Sequence, residues 1–242
     1  MTPYFFGDMK RPLYALYHAP QVPTARNSAV LLCPSIANEH AASRNMLSAL
    51  ARKLAANGQH VLTVDYSGTG ESAGEIGRGQ FLRWLRDIDA SVAELSALSG
   101  AQELSVVGVR VGALLAATAL ATVRTPLSKL VLWDPVICGA DFMAALERQH
   151  QHQLGGRRLS AASRDDLLGY RFPADLRRNL RFADLRKELK FAAGVQVNLL
   201  VAHDSAQVRE LGSSLESRQV PVATTRLPAI EIDAVASALA AA

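Results

Sequence analysis

Residues 108–112 read Gly-Val-Arg-Val-Gly. The apolar run "LSVV" leads in, and the Ala/Leu-rich "ALLAATALA" leads out. This spacing belongs to a sharp strand-to-helix turn that exposes a nucleophile between two glycines, where Ser, Cys or Asp would attack a carbonyl carbon. The central residue here is Arg110, whose guanidinium stays protonated and is only a hydrogen-bond donor. Acyl transfer would also need an acid and a histidine base. "VAHDS" (201–205) supplies Asp204 as the acid, with Asp134 in "LWDP" as the alternative. No histidine occurs after His203, so "PAIEIDAV", which follows "VATTRL" (222–227), offers no base. Two of the three roles are vacant, and a hydroxyl without a base is a poor nucleophile.

Rearranged chemistry would have to use other residues. Ser35, Ile36 and His40 follow the apolar run "AVLLCP" (29–34), and Val111 sits beside the elbow. These residues and Arg110 are the candidate ligand contacts. A Ser35–His40 pair is conceivable, although a Pro-Ser turn and a loop histidine describe the same residues. Ser67 would lie near the same sheet edge, and Ser72 reads as a turn residue. His203 and Asp204 are neighbours in a strand-like run, so their side chains point to opposite sides. "HQH" (150–152) is a solvated tract without ligand spacing, and no metal or cofactor is expected. At the elbow Arg110 would face the N-terminus of a helix, where a cation is disfavoured unless paired. Asp204 is the expected partner. Arg110 then either plugs the site or clamps the carboxylate or phosphate of a ligand.

The elements that must position these residues alternate. "PLYALYHA" (12–19), "AVLLCP", "HVLTVDY" (60–66), "LSVVG" (104–108), "KLVLWDP" (129–135), "VQVNLLVAHD" (195–204) and "VPVATTRL" (220–227) read as strands. Between them, 43–57, 80–98, 111–123, 205–217 and 230–241 carry helical spacing; Phe81, Trp84, Leu85, Ile88, Val92 and Leu95 form one face. This alternation predicts a mostly parallel sheet covered on both faces. The rhythm breaks from about 140 to 192, in a polar, Arg-rich stretch.

Three features together resemble the α/β-hydrolase superfamily. "VDYSGTGES" (64–72) resembles the D-x-x-G-x-G-x-S turn after the fourth strand, "GVRVG" occupies the elbow, and the interruption falls where that fold carries its cap. The resemblance implies a single domain over 1–242, with about eight strands and a helical cap between strands six and seven. More narrowly, "CPSIANEHAASRNM", "DYSGTGESAG", the Trp84–Asp87 helix and "GVRVGALLA" are similar to hydrolase-like proteins associated with exosortase A loci. One subgroup of these carries Gly-x-Arg-x-Gly-Ala at the elbow. That similarity implies an accessory role in exopolysaccharide or surface-protein export. The alternative is an esterase, thioesterase or acyl transferase with relocated residues.

The chain has 242 residues, 49% of them hydrophobic, and a formal charge of +4. That size and composition can bury a large core. Between 148 and 190 eleven basic residues face five acidic ones, so this stretch carries +6 and the remainder −2. Leu176, Leu180, Leu185 and Leu189 interleave with the arginines, which predicts amphipathic cap helices with the arginines outward. Such charge suits an anionic small molecule, an acyl substrate, a protein partner or a membrane surface; no nucleic-acid-reading motif accompanies it. Pairing with a second copy, or with an active homologue, is a further partner class. Cys33 and Cys138 lie far apart at the ends of apolar runs and read as buried free thiols in a reducing compartment. "MTPYFFGDMKRP" has no signal-peptide pattern and no apolar run reaches membrane-spanning length, so a cytoplasmic location is expected.

Overall fold

The computed structural model describes residues 1–22, 26–120, 127–155, 165–188, 195–226 and 232–240. Five parallel strands fill the middle of the main sheet: β3 (Ser28–Cys33), β4 (His60–Val64), β5 (Glu103–Val109), β6 (Lys129–Trp133) and β9 (Gln196–Val201). They are rich in Val and Leu because both of their faces are covered. β10 (Val222–Arg226) extends the parallel run at one edge. β1 (Thr2–Phe6) and β2 (Leu13–His18) close the other edge as an antiparallel pair. The order across the eight strands is β1-β2-β4-β3-β5-β6-β9-β10.

Alternate residues of each strand face opposite helical layers. Val30, Leu32, Val61, Val107 and Val131 pack beneath α1 (His40–Ala56) and α8 (Ile232–Ala240). Leu31, Leu62, Val106, Leu130 and Leu199 face α2 (Gln80–Ser99), α3 (Val111–Leu120) and α7 (Ala206–Ser217). This is the α/β-hydrolase fold, with the helices on both faces as the alternation predicted. α1 starts at His40, not at residue 43, so His40 sits on the helix's first turn and not in a loop. β1 had no sequence signal of its own; "TPYFF" becomes a strand by pairing with β2 from Thr2 against Tyr17 to Phe6 against Leu13. The tail of the expected 111–123 helix, from 121 on, and residue 241 of the expected 230–241 helix lie outside the described residues, as do 227–231.

The interruption between β6 and β9 holds α4 (Gly139–Leu154), a small hairpin of β7 (Asp166–Leu167) and β8 (Tyr170–Arg171), α5 (Ala174–Phe182) and α6 (Leu185–Glu188). Leu176, Leu180 and Leu185 are fully buried, and the arginines of α5 point away from them. Leu189 lies outside the described residues. The "HQH" tract is helical: it is part of α4, and His150 Nδ1 accepts the Leu168 N–H at 3.1 Å. Residues 137–139 run antiparallel to 183–185, with Leu185 N–H donating to Ile137 O at 2.9 Å and Gly139 N–H to Ala183 O at 2.9 Å.

Asp184 locks this junction. Its carboxylate takes Arg186 Nη2 at 2.7 Å and Nε at 2.9 Å, while Arg186 Nη1 reaches Glu210 on α7 at 2.7 Å. The Arg186 hydrogen bonds hold the Asp184 carboxyl below the usual aspartate range, against the opposing effect of burial. A depressed folded-state pKa adds stability above the ordinary aspartate value of about 3.9, and that stability is lost as the pH falls through the lower folded value. Asp184→Asn is therefore expected to cost about 1–2 kcal/mol at pH 7 and progressively less below about pH 4. Urea unfolding of both proteins across pH 3 to 7 reads the difference; a cost that stays constant with pH contradicts the assignment.

Candidate functional site

The elbow is built as its sequence requires. Arg110 joins β5 to α3 with φ +52°, a left-handed backbone that arginine rarely adopts. Two close approaches enforce it. A Cβ at Gly112 would lie 2.2 Å from Pro34 O, and one at Gly108 would lie 2.4 Å from Ala113 Cα. The turn is fixed by Arg110 N–H donating to Trp133 O at 3.1 Å and Val136 N–H donating to Arg110 O at 3.2 Å. The turn thus keeps an elbow geometry, with a guanidinium and no nucleophilic atom at its centre.

Arg110 does not meet Asp204. Its Nε donates to Glu39 Oε1 at 3.3 Å, and its Nη1 to both Asp134 O and Asp134 Oδ2 at 3.1 Å. Asp134, the alternative acid, sits just past β6 with φ +42° and turns back towards the elbow. Asp204 is exposed and pairs with Arg209, one turn into α7, at 3.0 Å. A partner five residues away on an adjoining helix is already at hand, so the acid loop has no need of the elbow. Glu39, which the sequence reading missed, lies in the single 3-10 turn Ala37–Glu39. Its position four residues after Ser35, in the loop that faces an elbow, was the available signal.

Ser35 and His40 are not paired. Ser35 is fully buried and its Oγ donates to Glu39 Oε2 at 2.8 Å. Ser35, Glu39, Arg110 and Asp134 thus form one continuous chain of polar contacts, one cation between two carboxylates. His40 faces Asp65: Nε2 lies 3.7 Å from Oδ1, beyond hydrogen-bond range, and has no hydrogen-bond partner among the described residues. Burial pushes the His40 imidazole down, with Asp65 opposing and Arg44 adding to the shift, so it is neutral at pH 7. Asp65 also receives Arg44 Nε at 3.3 Å and the Glu71 N–H at 3.0 Å. Ser67 and Ser72 are committed as well. Ser67 N–H and Oγ both donate to the Asp87 carboxylate, and Ser72 Oγ donates to Asp65 O. Burial holds the Asp87 carboxyl up, the Ser67 bonds working against it.

Two cavities adjoin the elbow and the Ile36–His40 turn, and a third, of about 340 Å³, is lined by His40, Arg44 and Thr63. One, of about 290 Å³, lies under α4 and is lined by Glu39, Arg110, Ile137, Phe142 and Gln207 among others. Cys138 lines it too and is only partly buried, contrary to the expectation of two buried thiols. Cys33 is fully buried, and burial raises its thiol to about 12. The second cavity, of about 190 Å³, is apolar and is lined by Ile36, His40, Ile76, Trp84 and Phe172. Of the expected ligand contacts, Arg110 reaches the first cavity and Ile36 and His40 the second. Ser35 and Val111 are fully buried and line neither. Among the described residues no group of His, Cys, Asp and Glu could hold a metal ion.

This sheet order, with helices on both faces, defines an α/β-hydrolase fold. The chain belongs to the serine aminopeptidase S33 family, whose sequence profile matches residues 25–177. Its fold is shared with a putative hydrolase from Agrobacterium vitis S4, at 19% identity and TM-score 0.62 over 99% of this chain and 97% of that one. Est1E from Butyrivibrio proteoclasticus, solved with ferulic acid bound, superposes with TM-score 0.70 at 16% identity over 98% and 96%. The bottromycin epimerase BotH, in complex with bottromycin A2, gives TM-score 0.64 at 16% identity over 99% and 98%. No curated relative matches the sequence.

Proposed function

We propose that this protein is a hydrolase-fold accessory protein that binds a ligand or partner and does not catalyse ester hydrolysis by a Ser-His-acid mechanism. The observation that carries this reading is the fate of the elbow: Arg110 fills the place of the nucleophile and is clamped by Glu39 and Asp134. A guanidinium shared by two carboxylates has no charge left over for a ligand anion, which favours the plug over the clamp. The binding surface at the elbow is then the cleft under α4, with Gln149, Gln207 and Asn38 offering uncharged polar groups beside Ile137 and Phe142. The resemblance of "GVRVGA" to the exosortase-associated subgroup supports a role beside exopolysaccharide or surface-protein export. Two free cysteines agree with a reducing, cytoplasmic setting. No helix among the described residues is long and apolar enough to cross a membrane.

One observation favours the second reading, an acyl-processing enzyme with relocated residues. His40 stands uncommitted beside an apolar cavity of about 190 Å³, which suits a short acyl group. One experiment decides. Purified protein and Arg110→Ser are assayed with p-nitrophenyl acetate and octanoate, and each is exposed to a fluorophosphonate. Neither protein is expected to turn over substrate above buffer or to take label, because restoring the hydroxyl does not restore the missing base. A labelled serine in the unmodified protein would overturn the proposal, and its position would identify the nucleophile.

A further inference from the structure

Away from the elbow, α2 and α5 pack side by side at the rim of the cap, joined where Gly79 N–H donates to Asp175 Oδ2 at 2.6 Å. Their outer surfaces carry an alternation that the fold does not use. On α2, Leu82 is 56% exposed and is followed one turn later by Arg86. On α5, Arg178 is followed one turn later by Phe182, which is 75% exposed. Residues four apart share a helix face. Arg78, Leu82, Arg171 and Arg178 line one open groove of about 890 Å³ between the two helices. Its acids are Asp165 and Asp175, and the second is already engaged by Gly79. The side chains of Arg78, Arg86, Arg171 and Arg178 make no hydrogen bond or ion pair among the described residues. By contrast, Arg181 and Arg186 of the same cap are paired, with Glu147 and Asp184 respectively.

We propose that this face docks on an anionic phospholipid bilayer, with headgroup phosphates on Arg78, Arg86, Arg171 and Arg178 and with Leu82 and Phe182 entering the interface. Arg78, Arg171 and Arg178 border one open groove, and Arg86 lies outside it, one turn along α2 from the exposed Leu82. Lipid headgroups move laterally and reach each guanidinium in turn. The two apolar side chains protrude beside the cations. That arrangement gains from an interface that is charged at its surface and apolar below it. A long Arg stem also lies comfortably along such a boundary while its head stays with phosphate. Each basic residue near an anionic surface adds to the attraction, which fades within a Debye length and weakens with salt.

Co-sedimentation with vesicles tests this. The 242-residue protein is mixed with phosphatidylcholine vesicles, or with vesicles holding about 30% phosphatidylglycerol, in about 0.1 M NaCl. Binding to the anionic vesicles only is expected, with loss at about 0.5 M NaCl. Arg78→Glu/Arg171→Glu/Arg178→Glu should reduce partitioning by at least about tenfold. Phe182→Ser, which changes no charge, should reduce it about threefold or more. All variants alter exposed positions, and circular dichroism with thermal unfolding checks that each is folded. Absence of binding to anionic vesicles, or binding that the triple charge reversal leaves unchanged, overturns the proposal. An unaltered Phe182→Ser overturns insertion of the apolar residues. Displacement by about 10 mM inorganic phosphate, beyond that by NaCl of equal ionic strength, would mean a soluble-anion site and overturns the bilayer. Retention on immobilised polyglutamate without vesicle binding would mean an acidic protein partner, with the same consequence.

Discussion

Gly112→Ala is expected to destabilise the protein by at least about 3 kcal/mol, a large part of the roughly 5–15 kcal/mol that holds a domain together. The added methyl would stand 2.2 Å from Pro34 O and 2.4 Å from Cys33 O, both main-chain atoms at the end of β3. No side-chain rotation relieves such a contact. Either α3 retreats from the sheet, which opens the core around Leu114 and Ala113, or β3 and β5 lose register. Gly212→Ala provides the control. That glycine lies in α7 with open space where its Cβ would stand, and replacement should stabilise by about 0.5–1 kcal/mol through the unfolded chain. Urea unfolding of the three proteins measures both effects. Equal midpoints for Gly112→Ala and the parent would show that the elbow is not packed as described.

Trp84→Ala should cost about 3–5 kcal/mol, the range for removing a large buried aromatic. Trp84 is only 1% exposed, packs on Tyr66 with ring centroids 6.1 Å apart, and donates Nε1–H to Ser67 O at 3.1 Å. Gln80 Nε2 donates to the same carbonyl, and Asp87 receives Ser67 from the other side. One helix face thus pins the "DYSGTGES" turn, and with it Asp65 beside His40. Losing the ring removes apolar packing and also loosens that turn. Trp84→Phe keeps most of the packing and loses the indole hydrogen bond, so about 1–2 kcal/mol is expected. Hydrogen exchange of the amides at 67–72 should accelerate in Trp84→Ala more than in Trp84→Phe. Uniform exchange in both would separate the turn from the helix that is said to hold it.

What could be read in the chain alone was whatever depends on local pattern or on the presence of an atom. Uninterrupted apolar runs such as "AVLLC" mark strands covered on both faces, because only burial on two sides tolerates them. The spacing of Phe81, Trp84, Ile88 and Leu95 marks a helix with one core face, and all four are buried. The residue types at the expected positions were equally legible: the Arg110 side chain has no nucleophilic atom, and no histidine follows His203.

Pairing was decided only by the tertiary structure. Arg110 and Asp204 looked like partners because the fold usually brings their loops together. The structure instead gives Arg110 to Glu39 and Asp134, while Asp204 is held by Arg209. Charged side chains take the partner that backbone paths bring within a few ångströms, and those paths depend on loop conformations such as the left-handed turns at Ala37 and Asp134. The same holds for β1, whose five residues become a strand only against β2, and for Ser35, whose neighbour Glu39 reaches its hydroxyl through a single 3-10 turn. Periodicity and chemistry are written residue by residue, but which polar groups meet depends on the path of the chain between them.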